Sequence, residues 1–249
     1  MTGTIKTYLN EKNYGFIKGD DNKDYFFHKS SINEHDLNKV CEEASVTFDQ
    51  KATPKGYNAI KISINSSSNI KYTIPDTIYT FKENKVKGWD VVDVADWIVH
   101  GSSRNSPDEA KQDMMHRINL VGANTALNMQ YYKTTGSEPG TGKGTYYYTI
   151  HNFSGQPANI GKKSLTGQLL YSDLVGINKT ARKLKNELIT KTSEAKNKRL
   201  IFWIILLAII GLSWIVKKDI AMFISIGLII LGFFLSHATD YDSWLEELK

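Results

Sequence analysis

The sequence of 249 residues contains one cysteine, five prolines and no apolar run at its start. Cys41 alone excludes a disulfide framework within one chain and a multi-cysteine zinc site, and it favours a reducing compartment. Without an opening apolar run, we expect no secretory signal peptide. The composition, 41% hydrophobic and 23% charged, is typical of a folded protein and excludes a disordered or fibrous chain.

Long apolar runs are lacking until residue 200 and then occur twice. Residues 200–216 and 220–236 contain no charged side chain, and only residues 217–219 separate them. As a helix, each run is about 25 Å long, close to the ~30 Å hydrocarbon core of a bilayer. The alternative is a buried hairpin of a soluble core, but core helices normally keep a polar face and these runs have none. The pattern therefore predicts a transmembrane helical hairpin.

The positive charge is concentrated directly before the first apolar run. Residues 179–199 carry eight Lys/Arg against two Glu, whereas residues 1–65 carry nine lysines and nine acidic residues. Basic segments beside membrane spans remain cytoplasmic and attract anionic headgroups. We therefore predict a helical basic stalk over 164–199, a two-pass protein of the cytoplasmic (inner) membrane with both termini in the cytoplasm, and membrane lipid as a partner. A solvated stalk is the alternative for this segment. The acidic tail, 237–249, is predicted to form a short amphipathic helix over 241–249.

Residues 1–65 alternate short β-rich runs with turn residues. The five runs with strand character are 4–9, 14–18, 25–28, 45–50 and 57–64. Five short strands in succession are typical of a closed antiparallel barrel of OB type. The N-terminal segment is therefore predicted to be such a barrel.

Two of these strands carry aromatic residues at alternate positions. Because side chains alternate across a strand, one surface of the sheet receives Tyr14, Phe16, Phe26 and His28, and the core receives Ile17, Tyr25 and Phe27. Exposed rings favour aggregation, whereas stacking on unpaired bases contributes about 1–3 kcal/mol per base. We therefore interpret the outward rings as a nucleic-acid platform, with Gly15 leaving room for a base between them.

This segment resembles the bacterial cold-shock domain in the motifs GTIK (3–6), KNYGFI (12–17), DYFFH (24–28) and KGYNA (55–59). The resemblance implies binding of single-stranded RNA or DNA on the aromatic face. The binding residues that it implies are Lys6, Tyr8, Lys12, Tyr14, Phe16, Phe26 and His28. Thr7 stands where the family has tryptophan, and Lys29 where an aromatic follows the histidine, so we expect weak, salt-sensitive binding. The alternative is a retained fold whose face binds protein.

Residues 71–163 form a separate α+β domain after the linker 66–70. Strands are predicted over 72–81, 86–94, 126–132 and 144–153. A helix is predicted to begin after the Ser106 cap with Pro107 and to end at Gly122. Together with the barrel and the hairpin, this gives a multi-domain fold.

The glycine-rich loop 136–144 is not a phosphate-binding loop. A P-loop requires glycine where Ser137 stands, Ser or Thr where Gly144 stands, and a helix afterwards. The residues that follow have strand character, so the loop is predicted to be a hairpin tip.

The helix followed by Gly122 and a strand also resembles a small bacterial family of heavy-metal-binding domains. Met114, Met115 and His116 are the ligands that this likeness suggests, but a methionine pair on a helix is more often part of a core. We therefore predict no metal site and no cofactor. Tyr146 to Tyr148 suggest a contact between copies of the chain.

No nucleophile, base or metal cluster indicates an enzyme, so we predict none. The sequence favours a membrane-anchored protein that binds single-stranded nucleic acid. The alternative is a membrane adaptor or sensor whose barrel binds protein and whose α+β domain binds a ligand, metal or partner.

Overall fold

The chain forms two units, Met1–Asn178 and Lys179–Lys249. The computed structural model describes residues 1–54, 56–65, 70–140, 142, 144–216, 225–230, 232 and 239–248. The first unit contains a closed barrel and a second sheet with one helix against it.

The N-terminal barrel is closed and has five strands, as predicted. Its strands are β1 (Thr2–Leu9), β2 (Tyr14–Gly19), β3 (Asp24–His28), β4 (Ser45–Thr53) and β5 (Gly56–Ile64). They follow the order β1-β2-β3-β5-β4 around the barrel. β3 and β5 pair in parallel, so the prediction of an antiparallel barrel holds for the other pairs but not for this one.

The barrel core confirms the predicted inward set. Ile17, Tyr25 and Phe27 are buried, each with an exposed fraction of 1% or less. They pack with Ile5 and Phe48 in one apolar cluster. Burying this surface favours the folded barrel by roughly 25 cal/mol per Å² of apolar area. The buried core of the barrel therefore supports the platform strands from beneath.

The second sheet is built around one long strand. Its elements are β6 (Lys71–Thr73), β7 (Tyr79–Thr80), β8 (Asp90–Val94), β9 (Trp97–Ser103), helix α1 (Pro107–Leu120), β10 (Thr125–Pro139) and β11 (Thr145–Ser164). β11 pairs with β10 along one edge and with β9, β8 and β6 along the other. The α+β character is as predicted, with more strands than predicted.

Several strand boundaries in this sheet differ from the prediction. The predicted strand 72–81 is two short strands, β6 and β7, with Pro75 between them. The predicted strand 86–94 begins only at Asp90, because Gly88 turns the chain with a φ of +80°. β9 was not predicted at all. The strand predicted as 144–153 extends through Pro157. Proline has no backbone N–H, but it is tolerated here because β11 changes partner from β9 to β8 at this point, so no hydrogen bond has to be donated to that edge.

Helix α1 has the predicted ends. The Ser106 hydroxyl accepts a hydrogen bond from the Glu109 amide at 3.1 Å, and Gly122 follows the helix with a φ of +82°. The Glu109 carboxylate accepts from Ser103 and Asn105 instead of completing a capping box. The hairpin tip is also confirmed, since strand β11 and not a helix follows the glycine-rich loop.

A long helix enters the second unit. After the short helix α2 (Tyr171–Leu174), Gly176 interrupts the predicted stalk helix with a φ of +101°, and α3 (Ile177–Val216) then continues without a break. The Asp93 carboxylate caps the start of α3 by accepting from the Gly176 and Ile177 amides at 2.6 and 3.0 Å.

α3 contains the first predicted span. Within the part of the chain that the structure describes, one helical segment, Tyr171–Ile215, is long and apolar enough to cross a membrane. Only 6% of its most apolar stretch of 18 residues is buried. Of the second predicted span, residues 225–230 are helical, whereas 220–224, 231 and 233–236 lie outside the described residues, as does the loop 217–219. Trp214 donates to the Ser225 hydroxyl at 3.1 Å, and a Cβ on Gly232 would lie 2.9 Å from the Trp203 ring.

The C-terminal tail is not the predicted amphipathic helix. Its regular structure is a short strand, β12 (Leu245–Glu247). Residues 242–244 form a turn before this strand, and polar contacts with α3 hold it: the Asp242 carboxylate accepts from Lys185 at 2.9 Å and from Thr192 at 2.8 Å. Lys185 also donates to the Asp242 carbonyl.

Candidate nucleic-acid interface

Three rings meet on the outer surface of β2 and β3. The centroids of Tyr14, Phe16 and Phe26 lie 5.6–6.2 Å apart, and the pairs are tilted or edge-to-face. Strand register produces this cluster, because Phe16 is directly opposite Phe26. We call these three residues the ring cluster. Phe16 is 39% exposed, so an apolar surface with open ring area faces outward.

Gly15 supports the ring cluster from the opposite side of β2. A Cβ at this position would lie 2.4 Å from the Thr7 carbonyl oxygen and 2.6 Å from the Phe27 ring, inside the barrel. The expectation that Gly15 leaves room for a base between the rings is therefore wrong, because the position where a side chain would be attached faces the barrel core and not the ring cluster. Its function is to let the Phe27 ring pack directly beneath the sheet.

His28 extends the ring cluster along β3. It is exposed and lies opposite Tyr14 in the β2–β3 register. Its Nδ1 accepts a hydrogen bond from the Ser30 amide at 3.3 Å and lies 2.9 Å from the Ser30 hydroxyl. Because an amide can only donate, the proton of the neutral imidazole is on Nε2. His28 can therefore offer one donor to a ligand on this face.

The three lysines expected to contact the phosphate backbone, Lys6, Lys12 and Lys18, differ in their surroundings. Lys6 forms an ion pair with Asp24 at 3.0 Å, and Lys18 lies 3.8 Å from the same carboxylate. The hydrogen bond from Lys6 is the main reason that the pKa of Asp24 is lowered. Lys12 is exposed and forms no ion pair with any residue that the structure describes. Lys12 is therefore the most available cation.

Tyr8 does not join the ring cluster. Its ring stacks on Phe27 at 5.9 Å with an interplanar angle of 8°, and it is half-buried against the barrel core. Burial first, and the Asp90 carboxylate second, raise the pKa of its hydroxyl. The Tyr8 hydroxyl thus lies within the electrostatic reach of Asp90 on β8 of the second sheet.

A β-bulge in β1 was missed by sequence reasoning. The β1–β2 register shifts between Ile5 and Thr7, so Ile5 pairs with Ile17 and Thr7 with Phe16. One extra residue, Lys6, is thus accommodated in β1 and turned towards Asp24. No proline or glycine marks this position, so the sequence contained no signal for it.

The residues that suggested a metal site do not fit one. Met114 is fully buried in the core, where its sulfur lies 3.3 Å from where a Cβ of Gly155 would be, whereas His116 is exposed. Two ligands on opposite sides of a helix cannot share an ion. Within the described residues, no group of three or more His, Cys, Asp or Glu side chains could hold a metal.

Comparison with known proteins agrees with the geometry of the barrel. The family model "'Cold-shock' DNA-binding domain" matches residues 1–64. Cold shock protein 1 of Lactiplantibacillus plantarum is 37% identical over 60 residues, which are 24% of this chain and 91% of that protein. Cold shock-like protein CspI of Escherichia coli is 38% identical over 63 residues, 25% of this chain and 90% of the relative.

A third cold shock protein matches the same N-terminal residues. The major cold shock protein of Micrococcus luteus is 37% identical over 62 residues, which are 24% of this chain and 92% of the relative. Each of these relatives is thus matched over nearly its whole length by the N-terminal quarter of the chain. The chain therefore belongs to the cold-shock domain family, through a domain at residues 1–64.

Proposed function

We propose that the protein binds single-stranded RNA or DNA on the ring cluster and is held at a membrane by its C-terminal segment. The observation that carries the binding proposal is the contact of three outward rings on a closed barrel. Bases stack on such rings largely without regard to sequence, since every base has a π-face. No chemical step is part of this proposal.

The charged groups around the ring cluster predict weak binding that depends on salt. Lys12 is available for a phosphate, but Lys6 must first leave Asp24. Few phosphate contacts mean that few counterions are released, so affinity falls with salt along a shallow slope. The lack of a ring at Thr7 removes a further stacking surface relative to the family pattern.

Membrane attachment is supported by the apolar half of α3. Its side chains are exposed over most of residues 200–215, for example 80% for Ile215, which is costly in water. The basic residues 179–199 precede it directly. A bilayer would cover this surface, and the basic residues would lie at anionic headgroups.

The proposed topology has two passes with both termini in the cytoplasm. Contacts along α3 support it: Ser225 lies at Trp214, Gly232 at Trp203, and Asp242 at Thr192. Later residues thus contact progressively earlier positions of the helix. A chain that runs back along α3 crosses the membrane a second time, so its tail lies beside the basic segment, on the cytoplasmic side.

The decisive variant is Phe16→Ala combined with Phe26→Ala. Binding of full-length protein in detergent to a fluorescent, unstructured oligonucleotide should be lost, because two of the three stacking surfaces are removed. The matched control is Tyr146→Ala combined with Tyr147→Ala, which removes two rings that are 57% and 67% exposed on β11. Affinity that is unchanged in the Phe16/Phe26 variant would exclude the ring cluster as the binding surface and favour a protein-binding barrel.

A further inference from the structure

A cleft of about 470 Å³ lies between the barrel and the second sheet. On the barrel side it is lined by Asn10, Glu11 and Lys12, the turn that leads into β2. Lys12 is two residues before Tyr14 and is the more available cation beside the ring cluster. The cleft therefore continues the surface that the proposed function assigns to a nucleic-acid strand.

The opposite wall of the cleft presents a tryptophan. Trp89 lines the cleft while part of its ring packs against the buried cluster that contains Val86 and Leu127. The Lys162 ammonium lies over its ring, 5.4 Å from the centroid, and the Tyr79 ring meets the indole edge-to-face at 6.1 Å. The part of the indole that lines the cleft can stack on a nucleobase, because the base gains ring contact and its phosphate lies near positive charge.

The remaining polar groups of the cleft suit a whole nucleotide better than a simple anion. Lys12 and Lys85 are exposed on the two walls, and Glu11 and Asp90 balance their charge. The Asn10 amide donates to the Asp90 carboxylate at 3.0 Å, which links the two walls. Donors and acceptors together can pair with base edges, and the volume falls within the ~300–1,000 Å³ typical of ligand sites.

We propose that this cleft is a further subsite that takes one nucleotide of the strand bound by the ring cluster. The base contacts Trp89, and the adjoining phosphate lies between Lys12 and Lys85. The inference rests on the proposed function, since the strand must already run across β2. With this subsite, the second sheet is part of the nucleic-acid interface, and the interface is longer than the one that the barrel alone would provide.

Oligonucleotide length separates the two parts of this interface. Full-length protein in detergent is titrated with oligothymidylates of about four and about eight nucleotides. Both lengths lie in the lower part of the range of binding-site sizes for one OB-type barrel. The longer strand should bind more tightly to the wild type. Trp89→Ala should weaken the longer strand about 5- to 100-fold and leave the shorter one unchanged. Phe16→Ala with Phe26→Ala should abolish binding of both strands.

Two further variants distinguish stacking from packing. Trp89→Phe keeps a ring and most of the core contact, so it should retain most of the affinity for the longer strand. Lys85→Gln changes an exposed side chain, so the fold is kept, and it should lower the salt dependence of the longer strand by about one unit of slope. Lys133→Gln, on β10 outside the cleft walls, is the matched control and should change nothing.

The outcomes separate this inference from the proposed function. If the longer strand binds the wild type, Trp89→Ala and Lys85→Gln equally well while the Phe16/Phe26 variant loses binding, the cleft is overturned and the ring cluster stands. If Trp89→Ala does not fold, as judged by circular dichroism, unchanged binding and salt slope in Lys85→Gln overturn the cleft. If the wild type binds neither strand, both proposals fail.

Discussion

The ring cluster on β2–β3 and the tyrosines Tyr146 to Tyr148 on β11 are two of the aromatic surfaces in the part of the chain that the structure describes. The ring cluster has alternate spacing, so its members share one face and contact each other. Consecutive spacing on β11 divides the tyrosines between two faces. Tyr146 and Tyr148 stack at 6.2 Å, and the Arg104 guanidinium already covers Tyr148 at 3.5 Å.

The difference shows that exposure alone does not define a base-binding surface. Tyr147, at 67% exposed, presents more ring than Phe16 at 39%. The rings of the barrel, however, are held over a buried core and have a cation, Lys12, beside them without an ion-pair partner in the described chain. Arg104 pairs instead with Glu138 at 3.0 Å. The ring cluster thus differs from the tyrosines in two respects: it lies over a buried core, and it has the Lys12 cation beside it. Substitutions can change each of these features separately.

The largest effect is expected when the support beneath the ring cluster is removed. Gly15→Ala forces a methyl group against Phe27 and the Thr7 carbonyl, and should lower the free energy of unfolding of the barrel by about 1–3 kcal/mol and weaken oligonucleotide binding with it. Gly142→Ala in the β10–β11 loop meets nothing within 4 Å and should be neutral. Chemical denaturation followed by circular dichroism checks both; equal stability of the two variants would contradict the packing argument.

Removing a single ring should have the next largest effect. Phe16→Ala is expected to weaken binding of an unstructured oligonucleotide about 5- to 100-fold, because one stacking surface is lost. Tyr147→Ala removes a more exposed ring and should leave affinity unchanged. Fluorescence anisotropy at one fixed salt concentration measures both. If Tyr147→Ala weakened binding as much as Phe16→Ala, the two aromatic regions would be equivalent.

Removing the charge beside the rings should change the salt dependence. Lys12→Gln is expected to lower the slope of log affinity against log salt by about one, the effect of one lost phosphate contact. Lys133→Gln, on the β10–β11 hairpin, should leave the slope unchanged. Titrations at several salt concentrations give the slope, and an identical slope for wild type and Lys12→Gln would show that Lys12 does not contact phosphate.

The smallest expected effect comes from freeing Lys6. Asp24→Asn removes its partner and should strengthen binding about two- to fivefold, the range of an exposed ion pair. In the wild type, lower pH has the same effect only at the acid extreme: the pKa of Asp24 is lowered from 3.8, so the pair persists near neutral pH and is lost as pH falls through that lowered value. Weaker binding by Asp24→Asn would indicate that the carboxylate itself contacts the ligand.

The same contrast explains what could be predicted from the sequence. In the barrel, strict alternation around Ile17 and Phe27 fixes which face is buried, so strands, core and ring cluster follow from local pattern. In the second sheet, Pro157 and Gly155 read as strand breakers, yet β11 continues because its partner changes there. Such a change depends on strands distant in sequence, which no local pattern records.

Two other features were also set by distant contacts. Tyr8 has the same spacing as a platform ring, but Asp90 of the second sheet lies near its hydroxyl and burial raises its pKa. The tail has an amphipathic pattern, but Asp242 binds Lys185 and Thr192 of α3. In the tail, a tertiary contact outweighs the local amphipathic pattern, whereas the binding role that the family resemblance implies for Tyr8 stays a prediction.

Photocrosslinking reports directly which rings of the protein touch a base. Full-length protein is irradiated with a single-stranded oligonucleotide that contains 5-iodouracil, and the crosslinked residues are mapped by mass spectrometry. If bases stack on the ring cluster, crosslinks are expected at Tyr14, Phe16 and Phe26. Crosslinks restricted to Tyr146 to Tyr148, with none on β2 or β3, would contradict this stacking.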